Sequence, residues 1–394
     1  MREETKKRIG EIIEEAIAAG VTAGVSVLFI ENGEEVHFDV HGMADKENGI
    51  PLRRDHIHRI FSMTKPITAT AAMILMERGV LDFGTPVHEI LPGFEGNTLI
   101  AADGSRVPSP TEMTVLHLLN MTSGLSYGGL DSEAEKATVR LLIDCSRKMR
   151  TPEEVGTVPF AIKLGQLPLC FEPDSNWQYS LSADVLGAVI ETVSGKRFGD
   201  FLRDEIFAPL HMEDTGFFVP EEKQDRLAEC YHSTNTTEMR HFTSDNLMIR
   251  YDMKGRPAFE SGGAGLCSTI DDYARFAHML LNRGELDGVR ILKPATVDYF
   301  TSGDLTPAQQ AGLRRRFRLG GFTYQHLMRQ MREPGSYAGP TREREYGWDS
   351  WTGCYFACMP MDNALMVLME QKAECGTIPM TRKIRNVWLT DSYS

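Results

Sequence analysis

Residues 61–78 read FSMTKPITATAAMILMER, and the rest of the chain is best read outward from them. The pattern predicts a helix over 64–78, with Pro66 tolerable because it falls in the first turn. Ser62 and Lys65 are three residues apart, so they share one helical face. A serine hydroxyl is a weak nucleophile, and a lysine beside it supplies a base if burial lowers its pKa. The helix N-terminus adds free N–H groups and the positive end of the dipole, which favour an oxyanion formed at Ser62. S-x-x-K alone recurs by chance, as a capping serine followed by a surface lysine. Its meaning depends on the sequence around it.

Upstream, Ile9, Ile12, Ile13, Ala16 and Ile17 repeat at helical spacing, which predicts an amphipathic helix over 3–19. Strand-like runs 24–30 and 36–40 flank Asn32-Gly33, a pair that accepts the positive φ angles of a hairpin turn. Downstream, helical patterns occupy 111–120, 134–149, 182–194, 198–206 and 270–283. Strand signals return at 320–326, 353–359 and 364–370, and the wholly apolar run 365–369 reads as a central strand. The expected fold is α/β: an antiparallel sheet built from both chain ends, flanked by helices, with a mostly helical insertion domain. The expected boundaries are 1–75 and 255–394 for the sheet domain and 76–254 for the insertion, with the active site in the cleft between them. Segment 303–345, with Arg314, Arg315, Arg316, Arg318, Arg342 and Arg344, reads as a solvated face or loop, with binding of an anionic substrate as the alternative, because clustered Arg suits bidentate carboxylate contact.

The chain has 394 residues and a net charge of −13, from 42 Lys plus Arg against 55 Asp plus Glu. That balance lacks the electrostatic footprint for polyanions, so no nucleic-acid partner is expected. No apolar run reaches the ~18 residues of a membrane helix, so no membrane association is expected. The seven cysteines form no C-x-x-C pair and the N-terminus lacks an apolar signal stretch, which points to reduced thiols and a cytoplasmic location. Cys354 and Cys358 suggest packing. His56 and His58 lack further ligands at metal-binding spacing, so no metal site is expected.

Two later stretches give the S-x-x-K motif its context: WQYSLSADVLG at 177–187 and YGWDSWTGCYF at 346–356. With LLNMTSGL at 118–125 and GGAGLCST at 262–269, the chain resembles the serine β-lactamase and penicillin-binding superfamily over roughly 5–372. Its class C β-lactamase branch, with the related esterases and acyltransferases, is the most similar. The resemblance implies that Ser62 is the acylated nucleophile, Lys65 its partner, and Tyr179 the general base acting with that lysine. Lys65⁺ is expected to favour the ionised phenol. The backbone N–H groups of Ser62 and Trp351 match the oxyanion hole. The resemblance implies no cofactor.

Departures from the family pattern bear on the substrate. The second motif of class C β-lactamases is Tyr-x-Asn, but here Leu181 stands at the third position. Their Lys-Thr-Gly is replaced by Trp348-Asp349-Ser350. A site without the amide and the cation suits a small-molecule ester better than a β-lactam. Trp348, Ser350, Tyr127 and Leu181 are the expected substrate-binding residues. The leading reading is therefore an esterase or acyltransferase. The alternatives are a β-lactamase or D-amino-acid peptidase, and a catalytically silent binding protein. Oligomeric state is not legible in the sequence.

Overall fold

The computed structural model describes residues 1–391 except 236, 237 and 318. Its principal sheet has eight antiparallel strands: β1 (Gly24–Glu31), β2 (Glu34–Asp45), β3 (Ile50–Pro51), β4 (Phe322–Gln325), β5 (Met328–Met331), β6 (Tyr346–Asp349), β7 (Tyr355–Met359) and β8 (Ala364–Glu370). The order across the sheet is β4-β5-β6-β7-β8-β1-β2-β3. The first strand and the last meet at the centre, in a register pairing Val25 with Glu370 and Leu28 with Val367. The β1–β2 turn uses Asn32 and Gly33 at φ 54° and 84°, the left-handed pair a tight hairpin requires.

Helices cover both faces. They include α1 (Glu3–Ala18), α2 (Thr64–Glu77), α3 (Val115–Asn120), α4 (Glu133–Lys148), α5 (Thr157–Gly165), α6 (Ser182–Ser194), α7 (Phe198–Leu202), α8 (Ile270–Leu281), α9 (Pro307–Arg316) and α10 (Pro379–Asp391), with further short helical segments such as Pro294–Phe300 between. Side chains alternate across a strand, so the sheet sorts its apolar residues into two layers. Val25, Val27, Phe29, Met366 and Leu368 pack under α1 and α10, against Ile9, Ile13, Ile384 and Trp388. Leu28, Phe356, Leu365, Val367 and Met369 face the larger core, shared with α2, α6 and α8. That core holds α2 rigidly, because every residue from Thr64 to Leu75 is buried.

The antiparallel α/β sheet built from both chain ends is present as expected. Segment 303–345 is the main correction: strand β4 answers the strand signal at 320–326, but α9 and β5 stand where a solvated face or loop was expected. Helix α9 buries only Gln309, Gly312 and Leu313, too weak an apolar stripe to read as a helix, although Thr306 and Gln309 form a capping box. The expected helix 111–120 starts at Val115, because Val87 N–H bonds to Met113 O and holds the preceding residues extended. Helix α7 gives way after Leu202 to a π-type turn over Arg203–Phe207. Helices α5 and α10 went unread. No helix among the described residues is long and apolar enough to cross a membrane.

Candidate active site

Ser62 sits in a single 3₁₀ turn, Phe61–Met63, that runs directly into α2. Phe61 adopts φ 37°, an uncommon left-handed conformation for a bulky residue. Its ring is held by Trp351, with centroids 5.0 Å apart. The bend leaves Ser62 half-exposed on a cavity wall while Lys65 stays fully buried.

Lys65 Nζ lies 3.3 Å from Ser62 Oγ, 3.0 Å from the Tyr127 hydroxyl and 2.7 Å from the carbonyl oxygen of Gly263. Burial pushes the Lys65 amine down to about 7. The Asp184 carboxylate, and then Asp349, partly oppose that shift. The Lys65 ammonium also lies 4.5 Å from the centroid of the Tyr179 ring. The Tyr179 hydroxyl accepts a 3.0 Å bond from Trp348 Nε1. Burial pushes the Tyr179 phenol above its ordinary value, and hydrogen bonding with Ser62 and Trp348 pulls the other way. Ser62, Lys65, Tyr127, Tyr179 and Trp348, distant in sequence, are thus brought together.

Two residues that position Lys65, Gly263 and Asp184, went unassigned in the sequence reading. Asp184 is buried on α6 and accepts hydrogen bonds from Ser261 Oγ and, at 3.1 Å, from Gly263 N–H. Ser261 Oγ in turn accepts from Ala264 N–H at 3.0 Å. These bonds fix the 261–264 turn and aim the Gly263 carbonyl at Lys65. Gly263 needs its missing side chain: a Cβ there would lie 2.7 Å from Asp184 Oδ2 and 3.0 Å from the Tyr127 hydroxyl. The signals were the glycine run at 262–265 and the lone acid in the apolar stretch 181–190.

The cavity beside Ser62 has a volume of about 510 Å³. Tyr127, Tyr179, Trp348, Asp349, Ser350 and Trp351 are among its lining residues, with Arg316, Phe317 and Glu374. Trp351 N–H donates to no group among the described residues and is free to meet a ligand. Ser350 lines the cavity, but its hydroxyl is shared with Thr352, 2.7 Å away. Asp349 accepts a bond from the Thr377 hydroxyl. Leu181 corrects the expectation: it is buried in the main core and is not among the residues lining the cavity. An apolar side chain at the entry to α6 follows the hydrophobic gradient inward. His56 and His58 are buried with backbone partners, as structural histidines are.

A serine heading a buried helix, a buried lysine on the next turn and a tyrosine across the cleft define a class of acyl-transferring serine enzymes. The β-lactamase family model matches residues 9–377, and the chain belongs to that family. Esterase EstB of Burkholderia gladioli is 30% identical, covering 96% of this chain and 94% of its own length. Protein Rv1367c of Mycobacterium tuberculosis is 31% identical, covering 76% of this chain and 72% of its own. Among solved structures, EstCE1, a hydrolase with promiscuous acyltransferase activity, superposes with a TM-score of 0.80 at 25% identity, covering 99% of this chain and 98% of its own.

Proposed function

We propose that this enzyme is a serine esterase or acyl-transferring hydrolase that takes small-molecule esters through an acyl-Ser62 intermediate. The observation that carries the proposal is the buried Lys65 amine, pushed down to about 7 and 3.3 Å from Ser62 Oγ. Near neutral pH a large share of that amine is unprotonated, so it takes the Ser62 proton as Oγ attacks the ester carbonyl carbon. The backbone N–H groups of Ser62 and Trp351 stabilise the oxyanion; one such donor is typically worth ~10²–10³ in rate. Collapse expels the alcohol, which leaves with the proton held by Lys65. Water or an acceptor alcohol then gives its proton to the same base and attacks the acyl carbon; the bond to Ser62 Oγ breaks, and Oγ takes the proton back from Lys65.

Burial of both groups favours neutral Tyr179 beside neutral Lys65, rather than the expected phenolate beside an ammonium. Tyr179, held by Trp348, then relays a proton between Lys65 and the departing or incoming oxygen. The names of the esterase relatives support the reaction class. The seven free thiols support a reducing, cytoplasmic setting, which fractionation of the producing cells tests.

Intact-protein mass spectrometry after exposure to a panel of p-nitrophenyl esters and β-lactams tests the proposal. A transient mass increment equal to the acyl group, absent in Ser62→Ala, is expected. An increment that persists in folded Ser62→Ala, or turnover there above about a hundredth of wild type, overturns acylation at Ser62.

A further inference from the structure

We propose that Arg316 forms an anion subsite at the mouth of the Ser62 cavity, so that the preferred esters carry a carboxylate several atoms from the scissile bond. This rests on the esterase reading and names its substrate class. Arg316 ends α9 and lines the same cavity as Ser62 and Tyr179. Its guanidinium stacks over the Phe317 ring, 5.0 Å from the centroid. Phe317 is itself wedged among aromatic neighbours, 5.4 Å from Tyr179, 5.7 Å from Trp348 and 5.9 Å from Trp177. The aromatic wall is thus fixed, and the exposed Arg316 side chain rests its guanidinium against it.

Three other arginines of this segment have partners. Arg315 donates to Asn176 Oδ1 at 3.1 Å. Arg342 pairs with Asp362, and Arg344 lies 4.0 Å from Asp298. Arg314 lines a separate surface cleft, and Arg318 falls outside the described residues. Arg316 has no hydrogen-bond or ion-pair partner among the described residues, in a chain whose 55 acids outnumber its 42 bases. A planar fork of donors without a carboxylate, held at the edge of a reactive serine, suits a ligand carboxylate.

Two acids, Asp349 and Glu374, also line the cavity. Asp349 already accepts the Thr377 hydroxyl. Glu374 is exposed on a left-handed turn, φ 61°, next to Cys375, whose N–H bonds to the Trp351 carbonyl at 3.2 Å. An acyl or alkyl chain with a distal carboxylate is thus drawn along Phe317 to Arg316 and repelled from Glu374.

The test compares kcat/KM for mono-p-nitrophenyl adipate, p-nitrophenyl hexanoate and p-nitrophenyl 6-(trimethylammonio)hexanoate. Wild type should favour the adipate over the hexanoate. That ratio should fall roughly 3–10-fold in Arg316→Gln, recover in part in Arg316→Lys, and shrink in 0.5 M salt, as for a partly solvated charge pair. The same ratio in wild type and Arg316→Gln, or a wild-type preference for the cationic ester, overturns the subsite. Binding of monomethyl adipate against methyl hexanoate to Ser62→Ala, followed by tryptophan fluorescence, tests the subsite without turnover. Failure of the esterase reading is then distinguishable from failure of this one: no ester turnover with adipate-selective binding refutes only the first.

Discussion

The carbonyl oxygen of Gly263 lies 2.7 Å from Lys65 Nζ, the shortest of the three contacts that hold this amine beside Ser62. The carbonyl can only accept, so it takes one N–H of the neutral amine. The Tyr127 hydroxyl can take the other. The lone pair is left facing Ser62, which is the arrangement a proton acceptor needs. Asp184 and Ser261 sustain that orientation by holding the 261–264 turn.

One consequence is a pH profile governed by Lys65. Its amine is held down to about 7, so the reactive neutral form disappears as pH falls through that value. The kcat/KM for p-nitrophenyl butyrate should rise along a limb centred near 7. In Tyr179→Phe, kcat should fall by about 10²-fold or more with little change in KM, because the lost hydroxyl acts only as protons move. An unchanged kcat would remove Tyr179 from the proton path.

Asp184 supplies a test of the same limb without touching the reacting atoms. Its charge raises the Lys65 value against the effect of burial. Asp184→Asn keeps the shape and removes the charge, so the limb should move to lower pH. The limb staying fixed, with a full loss of stability instead, would make Asp184 a packing residue alone.

Gly263→Ala should be costly to the reaction and cheap to the fold. The added methyl would meet Asp184 Oδ2 and the Tyr127 hydroxyl, both in contact with the Lys65 cradle. Small misplacements of a catalytic group cost on the order of 10² in rate. Steady-state kinetics alongside thermal melting check this, with kcat reduced at least about tenfold while the melting transition stays cooperative.

Esters should be preferred over β-lactams by about an order of magnitude or more in kcat/KM. Asp349 lines the cavity where the resemblance places a cationic motif, and Trp348 presents an aromatic wall beside Tyr179. A β-lactam holds its carboxylate close to the reactive bond, where the Trp348-Asp349-Ser350 stretch supplies a carboxylate in place of a cation. Parallel kinetics on p-nitrophenyl butyrate and nitrocefin decide the matter: equal efficiency would overturn the argument from these residues.

The sequence by itself determined the helix headed by Ser62, the β1–β2 hairpin, the central run of β8 and the family. Each is written in local periodicity, turn chemistry or short motifs, which depend on neighbours along the chain. Only the tertiary structure decided which distant groups meet. Leu181 looked like a wall of the site because it sits two residues after Tyr179, yet the packing of α6 turns it into the core. Arg316 was one of a charge run that read as either a solvated face or an anion site, and only the end of α9 places this particular arginine at the cavity. The Gly263 carbonyl and Asp184 carry no motif that specifies their partner, and their role exists only because the 261–264 turn lies against α2 and α6. Burial is a property of the assembled core, so the depressed Lys65 amine, on which the chemistry depends, could not be read before the fold placed it there.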